Sequence, residues 1–232
     1  MLSIIIPTYN EKDNIEKLIS EIDSILKKRK ISYEILVVDD SSPDGTADVV
    51  FDIAKKNKNV RLLVKTKKEG LGAAYKYAIP KAKGEIVMEM DADFSHKPKH
   101  IPEFIDAFEN EKVQVVIGSR KVAGGKRTDS LIRQIYPAIG SLLFKIVGCP
   151  VRDPTSGFRA YRKKVLDKIN LTKMPDDYSF QVAMIFTAKR NNAKIVEIPI
   201  VFGARELGET KYSNRDLFGN IKVLFDVILR RF

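Results

Sequence analysis

Two carboxylates one residue apart, Asp91 and Asp93, follow a run of apolar or strand-tolerant residues at 86–90. Strand side chains alternate faces with period two, so a strand ending here points both acids the same way. Paired hard oxygen donors at a strand end suit Mg²⁺ or Mn²⁺, with the other positions left to water and substrate phosphates. The same spacing also occurs in solvated turns, so the surrounding elements must decide. With carboxylates as the local donors the site is one for a hard ion, and zinc is not expected. His96 and His100 are expected at the surface or at a helix start. Glu89 shares strand parity with Asp91. It either adds charge near the metal or, the favoured reading, pairs with a lysine across the sheet, because an unpaired buried carboxylate is costly.

Stepwise along the chain, short apolar runs alternate with helical patterns. Residues 2–7 form a buried strand, and Thr8-Tyr9-Asn10-Glu11 is the turn after it. A helix over 13–28 places Ile15, Leu18, Ile19, Ile22 and Ile25 on one face. A second strand over 33–38 runs into Asp39-Asp40, and Thr46 is placed to cap a helix reaching Lys56. A third strand covers 60–64, Gly70-Leu71-Gly72 opens a helix through Ala82, and the strand before Asp91 follows. This rhythm implies a parallel sheet with right-handed crossovers, in which ligands collect at the carboxyl ends of strands. Three polar clusters fall at those ends, at residues 8–11, 39–44 and 91–95.

Further on, helices are expected over 98–109, 130–147 and 178–190, the last amphipathic, with strands over 113–118 and 194–202. Lys121 to Arg127 read as a glycine-containing loop able to close over substrate. A last helix over 214–232 carries Leu217, Ile221, Leu224, Phe225 and Ile228 on its apolar face and ends in Arg230-Arg231. Core packing is its favoured use, and contact with an anionic lipid surface the alternative.

The first turn lacks G-x-G-x-x-G, and no G-x-x-x-x-G-K-[ST] occurs. A dinucleotide fold and a phosphate loop are thereby disfavoured, and a nucleotide would be gripped by side chains and metal. The 232 residues suit one α/β domain with a sizeable core. The single cysteine, Cys149, allows no internal disulfide and fits a reducing compartment. No secretory leader and no apolar stretch of roughly 20 residues is visible, so a membrane span is not expected. The net charge of +11 suits an anionic partner. The lysines are spread rather than blocked together, which argues against nucleic acid and keeps a basic nucleic-acid-binding module as the rival from another class.

The segments Ile4-Ile5-Ile6-Pro7-Thr8-Tyr9-Asn10-Glu11, Val37-Val38-Asp39-Asp40-Ser41-Ser42-Pro43-Asp44-Gly45-Thr46 and Asp91-Ala92-Asp93 resemble the inverting glycosyltransferases of family 2, which have the GT-A fold. Gly118-Ser119-Arg120, Asp153-Pro154-Thr155-Ser156-Gly157-Phe158-Arg159 and Gly208-Glu209-Thr210-Lys211-Tyr212 narrow the likeness to the dolichyl-phosphate mannose synthases. The likeness covers nearly the whole chain. It implies a single α/β domain, Rossmann-like, with a mostly parallel central sheet flanked by helices. Residues 1–97 would form the nucleotide-sugar half and 98–232 the acceptor half.

The resemblance also implies roles. Pro7, Tyr9, Glu11, Val38 and Asp40 would hold the nucleoside. Asp91, Ala92, Asp93 and Ser95 would surround the metal and diphosphate. Some relatives carry glutamine at the position of Ser95, and a serine reaches less far, which favours a bridging water. Arg120 and Arg133 would lie near phosphates, with Asp93 the third catalytic candidate. Gln181 matches a donor-side position, and Arg205 and Lys211 would neutralise the leaving diphosphate. Arg159 is read as structural. Asp153 and Asp177 are the two candidates for a general base, and Asp177 is read instead as a helix-start residue. The implied reaction moves mannose from GDP-mannose to dolichyl (polyprenyl) phosphate, with Mg²⁺ or Mn²⁺. A UDP-sugar donor and a hydroxyl acceptor are the alternatives. The implied location is cytoplasmic, peripheral on the cytosolic face of a membrane or held there by an anchoring partner.

Overall fold

A computed structural model of the chain describes residues 1–127, 144–203, 222–226 and 229. Its centre is a seven-stranded sheet built from β1 (Leu2–Thr8), β2 (Tyr33–Asp39), β3 (Val60–Val64), β4 (Ile86–Glu89), β5 (Val115–Ser119), β7 (Arg159–Arg162) and β8 (Ile195–Pro199). The order is β3-β2-β1-β4-β7-β5-β8. The strands pair in parallel except at β7, which runs antiparallel to β4 and β5 between them. A two-stranded parallel ribbon, β6 (Lys126–Arg127) with β9 (Val201–Phe202), lies beyond the end of β5.

Period-two alternation sorts the central strands onto two cores. Ile4 and Ile6 pack with α1 (Lys12–Lys28), α2 (Thr46–Lys56) and α4 (Ile101–Ala107), whereas Ile5, Leu36 and Val38 pack with α3 (Leu71–Ala78) and α6 (Phe180–Arg190). A fifth short helix, α5 (Lys163–Leu166), follows β7 directly. In α1 the inward face ends at Leu26, and Ile25 is only half-buried.

Several local expectations change in the structure. Thr46 is the first residue of α2 rather than its cap. Gly45 sits at the cap with φ +87°, and Asp44 supplies the acceptor, taking the Thr46 N–H at 2.9 Å and its hydroxyl at 2.6 Å. The helix after Gly70 tightens into a 3₁₀ turn at Ile79–Lys81, because Pro80 has no N–H to continue the α ladder. The segment over 98–109 likewise splits into a 3₁₀ turn, Pro98–His100, and α4. Residues 180–188 of α6 are buried on every side, so this helix is central rather than amphipathic.

From the last helical stretch, residues 222–226 are described and are helical. Val223 and Leu224 pack on the core shared with α6, while Phe225 is 58% exposed. Leu224 therefore packs inward while Phe225 does not, and the single apolar face expected there does not hold for this pair. Leu217, Ile221, Ile228 and the terminal arginines lie outside the described residues. Among the described residues no helix is long and apolar enough to cross a membrane.

Candidate active site

The carboxyl ends of β1, β2 and β4 open into a cavity of about 780 Å³. That is within the range of small-molecule sites. Pro7, Tyr9, Glu11, Asp40, Asp91, Ala92 and Asp93 all stand on its wall, so the structure brings the three polar clusters together.

Side-chain bonds fix the first two loops to each other. Thr8 Oγ1 donates to the Val38 carbonyl (3.3 Å), and the Ser42 N–H donates to Asp39 Oδ1 (3.0 Å). The Asn10 N–H donates to Ser42 Oγ (3.0 Å), and the Glu11 N–H to Thr46 Oγ1 (3.0 Å). Asn10 and Ser41 take φ of 57° and 58°, the left-handed turn that asparagine and serine tolerate through such local bonds. Asp40 is buried. Its Oδ1 lies 2.9 Å from Lys65 Nζ, and its Oδ2 accepts the N–H groups of Glu69 and Gly70 at 3.3 and 3.4 Å. Lys65, itself buried, escaped the sequence reading, as did Lys68, whose ammonium sits 3.8 Å from the centroid of the Tyr9 ring.

The Gly70-x-Gly72 pair does more than start a helix. A Cβ on Gly72 would meet the Pro175 carbonyl at 2.3 Å, and one on Gly70 the Asp176 carbonyl at 2.6 Å. The pair lets residues 175–177 lie directly on the start of α3, where Lys76 also reaches Asp176 at 2.5 Å. This contact brings Asp176, Asp177 and Ser179 to the cavity wall that Asp40 also lines. Asp177 Oδ1 accepts the Ser179 N–H at 2.9 Å and also the Ser179 hydroxyl, a local turn that leads into Ser179, the residue before α6. Lys222 and Asp226 complete that wall. Their i,i+4 spacing was the available signal.

At the strand end Asp91 is 34% exposed and Asp93 nearly buried. Asp93 Oδ1 accepts the Ser95 N–H (3.0 Å) and the Ser95 hydroxyl (2.6 Å). Ser95 thus orients a carboxylate. Phe94 between them has φ +60°, a strained conformation for an aromatic residue and one held by the bonds around it. Two carboxylates on the cavity wall fit a hard divalent ion. Among the described residues no group of three or more His, Cys, Asp or Glu forms a metal cluster.

His96 and His100 are buried, against expectation. His96 Nδ1 accepts the Asp91 N–H at 3.0 Å, and burial pushes the imidazole pKa down. His100 Nε2 accepts the Val201 N–H (3.1 Å), which leaves Nδ1–H to donate to Glu103 (2.7 Å). Glu89 is fully buried and finds an arginine rather than a lysine: Arg159 Nε lies 3.9 Å away. Burial holds Glu89 up to about 7, with the Arg159 charge pulling the other way. Arg159, as expected, is structural. Its guanidinium donates to the carbonyls of Ser156 (2.8 Å), Gln181 (2.7 Å) and Pro154 (3.1 Å).

Val38 and Gln181 are not on the cavity wall; the first is core and the second is buried beside Arg159. Arg120 is clamped by Asp153 through Nε (2.7 Å) and Nη2 (2.6 Å), and its guanidinium lies 5.1 Å from the centroid of the Phe202 ring. Burial raises the Asp153 pKa, but the Arg120 charge and hydrogen bonds lower it further, to a net value below the usual carboxylate range. Glu197 in turn accepts the N–H groups of Arg152 and Asp153 at 2.8 and 3.0 Å, fixing the loop that holds Arg120. Arg133, Arg205 and Lys211 lie outside the described residues.

Residues 3–170 match the model of Glycosyl transferase family 2. The chain is 35% identical over 228 residues to the dolichol-phosphate mannosyltransferase of Pyrococcus furiosus, covering 97% of this chain and 62% of that protein. It thus spans less than two thirds of that relative's length. It is 38% identical to the undecaprenyl-phosphate mannosyltransferase of Micrococcus luteus, covering 90% of this chain and 86% of the relative. The polyprenol monophosphomannose synthase of Mycolicibacterium smegmatis is 34% identical, with 92% and 82% covered. Among solved structures, mannosyl-3-phosphoglycerate synthase from Rubrobacter xylanophilus aligns with a TM-score of 0.73 at 18% identity, covering 99% of this chain and 73% of that one. Glucosyl-3-phosphoglycerate synthase from Mycobacterium tuberculosis, in complex with Mn²⁺, UDP-glucose and glycerol 3-phosphate, aligns with a TM-score of 0.67 at 20% identity, covering 100% and 79%. These structural likenesses support the GT-A fold.

Proposed function

The chain belongs to glycosyl transferase family 2, and we propose that it moves mannose from GDP-mannose to a polyprenyl phosphate such as dolichyl phosphate, inverting the anomeric carbon. The observation that carries this reading is the cavity at the ends of β1, β2 and β4, with Asp91 and Asp93 in its wall, in a chain similar to polyprenyl-phosphate mannosyltransferases.

In this reading the nucleoside lies against Tyr9, Glu11 and Asp40, whose positions the bonds between the first two loops and Lys65 hold still. Asp91 and Asp93 would hold Mg²⁺ or Mn²⁺. The ion, when bound, supplies positive charge to the diphosphate. Arg133 would hold the acceptor phosphate, and Arg205 and Lys211 would neutralise the leaving GDP. Arg120, paired with Asp153, would lie near the phosphates. Residues 1–97 serve as the donor half and 98–232 as the acceptor half. In this reading the acceptor is a membrane lipid, which places the reaction at a membrane surface, and the exposed Phe225 and Leu229 are available for contact with it.

A phosphate monoester has its second pKa at about 6, so it is ionised at neutral pH and attacks without giving up a proton. No general base is then needed. Asp153 is locked in its ion pair, and Asp177 serves the start of α6. Asp177→Asn is therefore expected to keep turnover within about tenfold, whereas loss of a true base costs roughly 10²–10⁴. Steady-state turnover of the folded variant with a polyprenyl phosphate is the check. A thousandfold loss would shift the acceptor from lipid phosphate to sugar hydroxyl.

A further inference from the structure

The ladder that holds β4 to β1 makes its last bond at Met90, whose N–H donates to the Ile5 carbonyl at 3.1 Å. Asp91 is the first residue beyond it, so the sheet does not set its direction. Its N–H goes instead to His96 Nδ1 at 3.0 Å, five residues on. The imidazole cannot swing away. It is stacked on Phe158 with centroids 5.0 Å apart, and the edge of Phe202 meets it at 5.6 Å.

The backbone around His96 is tied down as well. His96 forms an antiparallel bridge with Phe202, and the Gly203 N–H donates to the Ser95 carbonyl at 3.0 Å. On the remaining side Gly157 closes the space. A Cβ there would sit 3.2 Å from His96 Cε1 and 3.5 Å from Asp91 Oδ1. The ring thus lies between the Asp91 turn and the loop-and-ribbon segment that carries Gly157, Phe158 and Phe202. The guanidinium groups of Arg120 and Arg127 lie over that same Phe202 ring, at 5.1 and 5.7 Å from its centroid.

We propose that His96 is a positioning residue: through Nδ1 it fixes Asp91 in the orientation that binds the divalent ion, and through its ring it couples that turn to the Phe202 ribbon beside Arg120. The inference rests on the metal reading given above. It assigns His96 a task that neither packing nor charge explains, because the acceptor must sit at the position of Nδ1. Asparagine places its Oδ1 near that position and lacks the ring. Phenylalanine keeps a ring and lacks the acceptor.

The test is Mn²⁺ titrated into the full chain and followed by the electron paramagnetic resonance of the free ion, for wild type, Asp91→Asn, His96→Asn and His96→Phe. Thermal melting of each variant runs alongside. Wild type should bind, and Asp91→Asn should bind much more weakly. His96→Phe should lose about tenfold or more in affinity, as supporting partners of metal ligands do. His96→Asn should stay within about threefold of wild type even if it melts earlier. Wild-type affinity in folded His96→Phe, or an equal loss in His96→Asn, overturns the role of His96 while leaving the metal site intact. Absent binding in wild type, or unchanged binding in Asp91→Asn, sinks the metal reading itself. Should His96→Phe fail to fold, His96→Leu, which also lacks the acceptor, takes its place: a loss of about tenfold or more supports the role and wild-type affinity overturns it.

Discussion

Asp91→Ala and Asp93→Ala are each expected to lose about a thousandfold or more in turnover, and a chelator should do the same to the unaltered enzyme. Such a factor corresponds to about 4 kcal/mol of barrier. That is within the several kcal/mol a divalent ion supplies to a charged phosphoryl group. Asp91 is the more exposed of the two acids. Asp93 Oδ1 accepts both the N–H and the hydroxyl of Ser95, which fixes that carboxylate at the strand end. Ser95→Ala removes one hydroxyl donor but keeps the Ser95 N–H bond, so its loss should be much smaller. Initial rates on folded variants, with metal replaced after chelation, are the readout. Full activity in the chelated enzyme would contradict the role given to the two carboxylates.

Arg159→Met should cost stability rather than chemistry, by about 3–5 kcal/mol, the usual result of removing one partner of a buried charged pair. Three carbonyls lose their donor, and Glu89 loses its cation, all in a fully buried position. The deficit should depend on pH. Burial holds the folded Glu89 pKa at about 7, above the ordinary value of 4.5, so its contribution is fully present below the ordinary value and is lost as pH rises through about 7. Without Arg159 that pKa climbs further, and the loss continues to higher pH. Denaturant unfolding at pH 5.5 and 8.5 should therefore show a larger deficit at the higher pH. A deficit under about 1 kcal/mol, or one independent of pH, would mean that the pair does not hold β7 in the sheet.

What the sequence made legible follows from where one signal dominates. The first three strand–helix units were readable because Ile4-Ile5-Ile6 and Ile35-Leu36-Val37-Val38 are apolar on both faces, and α1 repeats its inward residues at 3.6 spacing. The carboxyl ends of parallel strands then located the polar clusters without side-chain geometry. β7 was not legible. Its Arg-Ala-Tyr-Arg carries no apolar alternation, and Arg159 and Arg162 are accommodated there by carbonyls that include those of Gln181 and Val113, far away in the chain. Long-range partners also hid His96 and His100, which are polar by type and buried by contact. Glu89 was expected to meet a lysine because an unpaired buried carboxylate is costly, whereas the antiparallel register of β7 sets Arg159 opposite it. Gly70 and Gly72 were taken for a helix start because the chain that presses on them lies more than a hundred residues on.

The most direct measurement offers labelled GDP-mannose and labelled UDP-sugars, each with dolichyl phosphate and Mg²⁺ or Mn²⁺, and extracts the product into organic solvent. The account predicts label in the organic phase from GDP-mannose alone, only when the lipid phosphate is present, and none after Asp91→Ala. Label carried from a UDP-sugar instead, or mannose passed to a water-soluble acceptor with the lipid phosphate left untouched, would contradict it.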